Sequence, residues 1–565
     1  MSEATMTRQQ AINQVCAAGQ PYELKTTQIR GKSCRVFVNA PLTLHDIYSD
    51  SRSDLDFLIY EKERLSFDEV YRQASALAFA MVEDYGIQQG DRVAIALRNY
   101  PEWVIAFFAA TSIGAIAVPL NAWWNSREIY YSLEDCQPSL IIVDQERLDR
   151  LANCESLTKD LRIIRLRAAG NPGMESDNWD GVLGANIAAE MPQVSVDPDD
   201  DAIILYTSGS TGHPKGVVSS HRSIIHALLS WELDWELRAC MGVYELQETE
   251  QQGGMLLAIP LFHVAGCHAA MLSSIRVQRK VVCMYKWDVQ KGMELIERER
   301  LTAVMATPAI SGDVVHASAT SSRDLSSLIL LGGGGAPRAP EQVRAIDRMS
   351  ETLIPATGWG MTETNAIGTG IAADDYLEHP SSSGQCSGVL DIRVVDDLGK
   401  QQPTGERGEL QVRGTSMFRA YWNRPEATAE AFDGDWFHTG DVAIVDEQGF
   451  LYIVDRIKDL VNRGGENIGC GEVEAALLEN PNVIEACVYG VPDERLGEEV
   501  GAMMYVSQVL DEDELRAFLA DKLAKFEIPR YFHQETEPLP RIATGKIAKR
   551  QLQGEAIDRL GLRVT

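Results

Sequence analysis

The apolar run Ala202-Ile-Ile-Leu205 is followed at once by Tyr206-Thr-Ser-Gly-Ser-Thr-Gly-His-Pro-Lys-Gly-Val217. Four apolar residues bounded by a turn signal read as a buried strand, so a loop of small residues sits at a strand end. Gly209, Gly212 and Gly216 let backbone N–H groups turn toward an anion, and the hydroxyls of Thr207, Ser208, Ser210 and Thr211 add donors. Lys215 supplies the point charge that a triphosphate tail requires. The loop is not a Walker motif, which needs Gly-Lys-Ser/Thr, because Lys215 stands between Pro214 and Gly216. A flexible Ser/Gly linker has similar composition but lacks the apolar flanks and the Pro-Lys-Gly close.

The same alternation of short apolar strands and helices recurs. Asp91-Arg-Val-Ala-Ile-Ala-Leu97, a helix after Pro101 and Ala115-Ile-Ala-Val118 read as a βαβ unit, and Pro138 to Asp144 adds a strand. Further strands are expected at Val281 to Met284, Leu301 to Ala306 and Leu328 to Leu331. From about Gly384 the texture changes to short strands and glycine turns, the pattern of a small antiparallel β subdomain. Asp455-Arg-Ile-Lys458 leads into a last segment with helices at Gly471 to Glu479 and Asp511 to Lys525, strands near Ile484 and Met503, and a polar tail. The fold class is therefore α/β. A large N-terminal domain (1–455) of mainly parallel sheets plus the β subdomain precedes an α+β C-terminal domain (456–565).

At 565 residues the chain is too long for one core, and its net charge of −30 argues against nucleic acid as a partner. Ten cysteines without a CxxC pair suit a reducing compartment. No signal peptide is expected over residues 1–20, and the closing Leu-Arg-Val-Thr565 carries no Ser-Lys-Leu address, so the expected location is cytoplasmic. The uncharged run Trp103 to Leu120 is long enough to suggest a membrane span, but Gly114 and Pro119 divide it into a buried helix and a buried strand. No integral membrane segment is expected.

Six further motifs follow the loop: Ile259-Pro-Leu-Phe-His-Val-Ala-Gly266, Gly332-Gly-Gly-Gly-Ala-Pro337 and Gly358-Trp-Gly-Met-Thr-Glu-Thr364, then Trp436-Phe-His-Thr-Gly-Asp441, Asp455-Arg-Ile-Lys-Asp-Leu-Val461 leading to Gly465, and Pro540-Arg-Ile-Ala-Thr-Gly-Lys-Ile547. In this order they resemble the adenylate-forming superfamily of acyl-CoA synthetases, luciferases and peptide-synthetase adenylation domains, over roughly residues 45 to 550. The resemblance implies ATP, Mg²⁺ and coenzyme A. It places the β- and γ-phosphates on Thr207 to Lys215 and adenine between Trp359 and Gly335, Ala336 and Pro337. Thr362 would bond the α-phosphate, Glu363 would bind Mg²⁺, and Asp441 would accept the ribose hydroxyls with Arg456 nearby. Lys546 would bridge substrate carboxylate and α-phosphate, where two anions must be brought together. Lys458 matches the hinge about which the C-terminal domain rotates, and Gly465 the glycine lining the pantetheine tunnel. Residues 516 to 550 carry eight Lys/Arg against four Asp/Glu, a local excess suited to CoA phosphates.

The acyl pocket would run past His263, Ala265, Gly266, Cys267 and Ala269, and the small side chains that follow His263 leave room for a medium- or long-chain or bulky acid. His263 fits a gate or packing role better than a base. The chain departs from the family pattern at Asp455 (usually Gly), Asn462 (commonly Lys) and Cys470 (usually Pro). The implied activity is carboxylate plus ATP to acyl-AMP and pyrophosphate, then CoA to acyl-CoA and AMP. Peptide-synthetase domains place an Asp at the position of His263, so an amino-acid substrate is disfavoured. The alternatives are acyl transfer to a carrier protein and a non-catalytic nucleotide-binding relative. The partner is a small carboxylic acid, and the resemblance also allows a homodimer.

Overall fold

Pro101 opens a helix, Pro101–Ser112, of which every residue except Glu102 is buried; its fixed φ suits the first helical position. Gly114, at φ +72°, turns the chain where a side chain would press to 2.9 Å from Gln89 Cγ. The strand Ile116–Pro119 then lies parallel to Arg92–Ala96. The uncharged run is thus a helix and a strand buried in one α/β unit. Among the described residues, which are 6–152, 161–169, 174–207, 214–243, 251–336, 338–464, 466–542 and 545–562 of this computed structural model, no helix is long and apolar enough to cross a membrane.

Arg92–Ala96 is central in an eight-stranded sheet that also holds Leu140–Asp144 and the antiparallel pair Asp201–Thr207 and Lys215–Ser220. A second sheet holds the parallel neighbours Asp56–Tyr60, Lys280–Cys283, Gly254–Leu257, Ala303–Ala306, Leu330–Gly334 and Ile354–Gly358. The antiparallel strands expected after Gly384 are present, but they are not detached. Thr369–Ala372 pairs with Ile354–Gly358 on one side and Gly384–Cys386 on the other. The β subdomain therefore extends the parallel sheet, and both form one sheet of fourteen strands.

The strand expected at Leu328 to Leu331 lies later, at Leu330–Gly334, because the glycine run is part of it. A Cβ on Gly333 would sit 1.7 Å from the Ala306 carbonyl oxygen, so only glycine allows these strands to press together there. The C-terminal unit is built on the long hairpin Val483–Asp493 and Gly497–Val506, to which Tyr531–Glu535 adds in parallel. Alternate residues of Val483–Asp493 face two cores. Ala486 and Val488 meet the helix Cys470–Leu478. Cys487, Tyr489 and Val491 meet Leu552 and Ala556. The expected polar tail is thus a helix, Lys549–Leu560, whose i, i+4 pair Leu552 and Ala556 covers the second face. The helix expected over Asp511 to Lys525 is shorter, Glu512–Ala520, capped by Asp511 and buried only through Leu515 and Leu519.

Candidate active site

The antiparallel register sets Thr207 opposite Lys215 at the end of two neighbouring strands. Ser208, Gly209, Ser210, Thr211 and Gly212 lie outside the described residues, as do Pro337 and Gly465. Lys215 holds its ammonium over the ring of Tyr421, 4.9 Å from the centroid. The Tyr421 hydroxyl donates to Glu363 Oε1 at 2.9 Å. Glu363 is only 7% exposed, and burial raises its carboxyl pKa against the opposing pull of Tyr421 and Arg456. Thr362 and Glu363 sit in one turn of 3₁₀ helix, Thr362–Thr364, followed by two non-glycine residues at positive φ, Asn365 and Ala366. Such strained pairs persist where the surroundings over-determine them; here the Asn365 amide donates to the Ser416 carbonyl at 2.8 Å.

Trp359 and Asp441 meet directly. The indole Nε1–H donates to Asp441 Oδ2 at 2.7 Å, and Arg456 Nε approaches Asp441 Oδ1 at 2.5 Å. Strand register delivers this pair, because Asp441 on Trp436–Val445 stands opposite Arg456 on Phe450–Arg456. Asp441 is 2% exposed. A side chain at Gly368 would come within 2.4 Å of the Trp359 ring. The indole is therefore fixed by its N–H and backed on one side, which orients a flat apolar face in the cavity wall.

Lys546 reaches this wall from the C-terminal unit. Its loop is closed by the Ile542 N–H donating to the Lys546 carbonyl at 2.8 Å, and Gly545 turns at φ +83°, where a Cβ would lie 3.2 Å from Thr307 Oγ1. A Cβ on Gly335 would lie 3.3 Å from Lys546 Cε and 3.4 Å from Nζ, so the ammonium rests against a glycine at φ +80°. Burial and the Arg456 charge lower the Lys546 pKa, and Asp441 opposes them. Lys458 is exposed in the turn Ile457–Asp459, between Phe450–Arg456 and the C-terminal sheet.

Two of the three departures from the family pattern contact each other. Asp455 Oδ2 accepts the Cys470 N–H at 2.6 Å. Cys470 is the first residue of the helix Cys470–Leu478, where proline has no N–H to satisfy and is favoured. Cysteine restores the donor, and aspartate in place of glycine supplies the acceptor. We expect Asp455→Gly to cost about 1–2 kcal/mol. Combining it with Cys470→Pro should recover most of that loss, a coupling of about 1 kcal/mol in a double-mutant cycle by thermal or urea unfolding. Additive effects would show that the pair does not interact.

The cavity between these residues holds about 2140 Å³ and continues past His263, Ala265 and Ala269. Gly266 and Cys267, expected in the same wall, are turned away from it. A Cβ on Gly266 would lie 2.1 Å from the Pro260 carbonyl oxygen, and Cys267 is fully buried in the core. The reason is local: Ala265–Leu272 is a π-helix, in which only part of the segment faces the opening. The wall is completed by Leu228 and Trp231 of the helix His221–Cys240, by Met305 and by Ser273, residues that carry no motif of their own. Burial, then the Lys546 charge, lowers the His263 pKa to about 4. The imidazole is therefore neutral at neutral pH and does not change charge across it.

The profile of the AMP-binding enzyme family matches residues 48–422, and that of the AMP-binding enzyme C-terminal domain matches residues 472–546. The chain is 34% identical over 501 residues to a feruloyl-CoA synthase of an Amycolatopsis species, covering 88% of this chain and 94% of the relative. It is 32% identical over 492 residues to the long-chain-fatty-acid–CoA ligase FadD13 of Mycobacterium tuberculosis strain H37Rv, covering 86% and 92%. Its fold is similar to the crystal structure of the anthranilate CoA ligase AuaEII in complex with anthranoyl-AMP, with a TM-score of 0.81 at 26% identity over 92% of this chain and 99% of that one. With both family domains present in order and Thr207, Lys215, Trp359, Glu363, Asp441 and Lys546 lining one cavity, the chain belongs to the AMP-binding enzyme family of acyl-CoA ligases.

Proposed function

We propose that the protein activates a medium- or long-chain or bulky carboxylic acid with ATP and transfers the acyl group to coenzyme A. The observation that carries this reading is the placement of Lys546 against Gly335 in the cavity whose wall also holds Asp441 and His263, so that one ammonium would serve both the nucleotide and the acid. Lys215 and the loop before it would hold the terminal phosphates, Trp359 with Gly335 and Ala336 the adenine, and Asp441 the ribose. Thr362 would bond the α-phosphate, and Lys546 would join that phosphate to the carboxylate.

Glu363 offers a buried carboxylate with one oxygen already held by Tyr421, and among the described residues no cluster of three or more His, Cys, Asp or Glu could hold a metal. That donor set fits a cation that keeps most of its waters and takes substrate phosphate oxygens, as Mg²⁺ does. When bound, Mg²⁺ would neutralise charge on the leaving pyrophosphate.

The relatives' names span aliphatic and aromatic acids, and the small residues Ala265 and Ala269 in the wall support a large acyl group. Each buried methylene contributes about 0.8 kcal/mol, so filling this space should matter. Ala269→Phe should shift preference toward shorter acids by raising KM for large ones, read from a chain-length panel scored by AMP release. An unchanged profile, or acetate as the best wild-type substrate, would remove the pocket assignment.

After activation, the C-terminal unit would rotate about Lys458 and bring Gly465 to the CoA tunnel. Carboxylate-dependent ATP–pyrophosphate exchange tests the first step. Thioester formation on adding CoA separates this reading from transfer to a carrier protein, and loss of both reactions would leave only a nucleotide-binding role.

A further inference from the structure

We propose that Tyr421 is a positioning residue that sets the metal-binding carboxylate and the phosphate-loop lysine in a fixed relation to each other. The inference rests on the reading of Glu363 and Lys215 given above. Tyr421 lies on the two-residue strand Ala420–Tyr421, which adds to the edge of Lys215–Ser220 with Tyr421 opposite Val217. Lys215 is two residues from Val217 and shares its face, so Lys215 and Tyr421 are diagonal cross-strand neighbours within reach of long side chains. The backbone continues this pairing, with the Trp422 N–H donating to the Gly216 carbonyl at 2.7 Å.

One ring thus serves two charged groups. Its face lies under the Lys215 ammonium, 4.9 Å from the centroid, and its hydroxyl donates to Glu363 Oε1 at 2.9 Å. The Phe418 N–H donates to the Glu363 backbone carbonyl at 2.7 Å, so the strand's approach holds the main chain as well as the side chain. A ring that only filled space here, against Phe418 with centroids 4.9 Å apart, would serve equally well as phenylalanine. The hydroxyl is what a buried carboxylate needs, because it fixes one oxygen and leaves the remaining lone pairs for a cation.

Tyr421→Phe retains the ring and removes the hydroxyl, and Tyr421→Leu removes both. ATP binding measured calorimetrically in EDTA should be unchanged in Tyr421→Phe. The Mg²⁺ concentration giving half-maximal enhancement of that binding should rise about tenfold, the effect of losing one hydrogen bond to a charged group. In Tyr421→Leu the metal-free affinity should fall several-fold as well, because Lys215 loses its support. Kinetically, Tyr421→Phe should recover near wild-type kcat at saturating Mg²⁺. If metal-free and metal-loaded binding weaken equally in Tyr421→Phe, or the Mg²⁺ requirement does not move while the nucleotide-free melting temperature falls, Tyr421 is a packing residue and the proposal is overturned. Glu363→Gln serves as the control. If it leaves the Mg²⁺ requirement unaltered, the assignment of Glu363 itself fails and takes this inference with it.

Discussion

Lys546→Ala is expected to lower carboxylate-dependent ATP–pyrophosphate exchange by about a thousandfold, the scale of removing one preorganised donor from developing charge. Acyl-AMP supplied ready-made should still be converted to thioester at close to the wild-type rate. Attack of a carboxylate on an anionic α-phosphate brings like charges together, and in the proposed function the Lys546 ammonium, which rests against Gly335 in the cavity, would bridge them. Burial makes that charge count, because less water screens it. Pyrophosphate exchange reads the first half-reaction and thioester yield from acyl-AMP the second. Equal loss in both would mean that Lys546 serves the fold or both steps, and the division of labour would fail.

Asp441→Asn should raise the KM for ATP at least tenfold and lower the melting temperature. The carboxylate accepts from the Trp359 indole N–H on one oxygen and from Arg456 on the other. An amide can accept at only one of those positions and presents a donor at the other, so one N–H loses its partner. Hydrogen bonds to charged groups contribute about 1.5–3 kcal/mol. Arg456 is 42% exposed, so solvent screens its share, and the larger part of the effect comes from the buried Trp359 contact. Release of the indole should also change Trp359 fluorescence on nucleotide addition. An unchanged KM together with an unchanged melting temperature would separate Asp441 from the nucleotide site.

The relation between Asp455 and Cys470 shows how substitutions that look independent in a sequence can be one event in a structure. Read singly, each is a loss of a family residue. Their hydrogen bond at 2.6 Å joins the end of Phe450–Arg456 to the start of Cys470–Leu478, on either side of Lys458.

What the amino-acid sequence determined was local. Strand positions such as Leu140–Asp144 and the division of Trp103 to Leu120 into helix and strand follow from short apolar runs and from where glycine and proline stand. The order of the seven motifs was enough to assign the family and to mark Lys215, Trp359, Glu363, Asp441 and Lys546 as candidates. The tertiary structure decided what those residues touch. Tyr421 and Glu363 are 58 residues apart and Trp359 and Asp441 are 82 apart, and no local periodicity encodes contacts that depend on which strands become neighbours. The wall expected to face the acyl group was only half legible for the same reason. Composition marked Ala265, Gly266, Cys267 and Ala269 alike as small, but the π-helical path turns Gly266 and Cys267 inward and leaves Ala265 and Ala269 facing the cavity. Leu228, Trp231 and Met305 join that wall only because the helix His221–Cys240 and the strand Ala303–Ala306 pack around it, an arrangement set by burial across the whole domain.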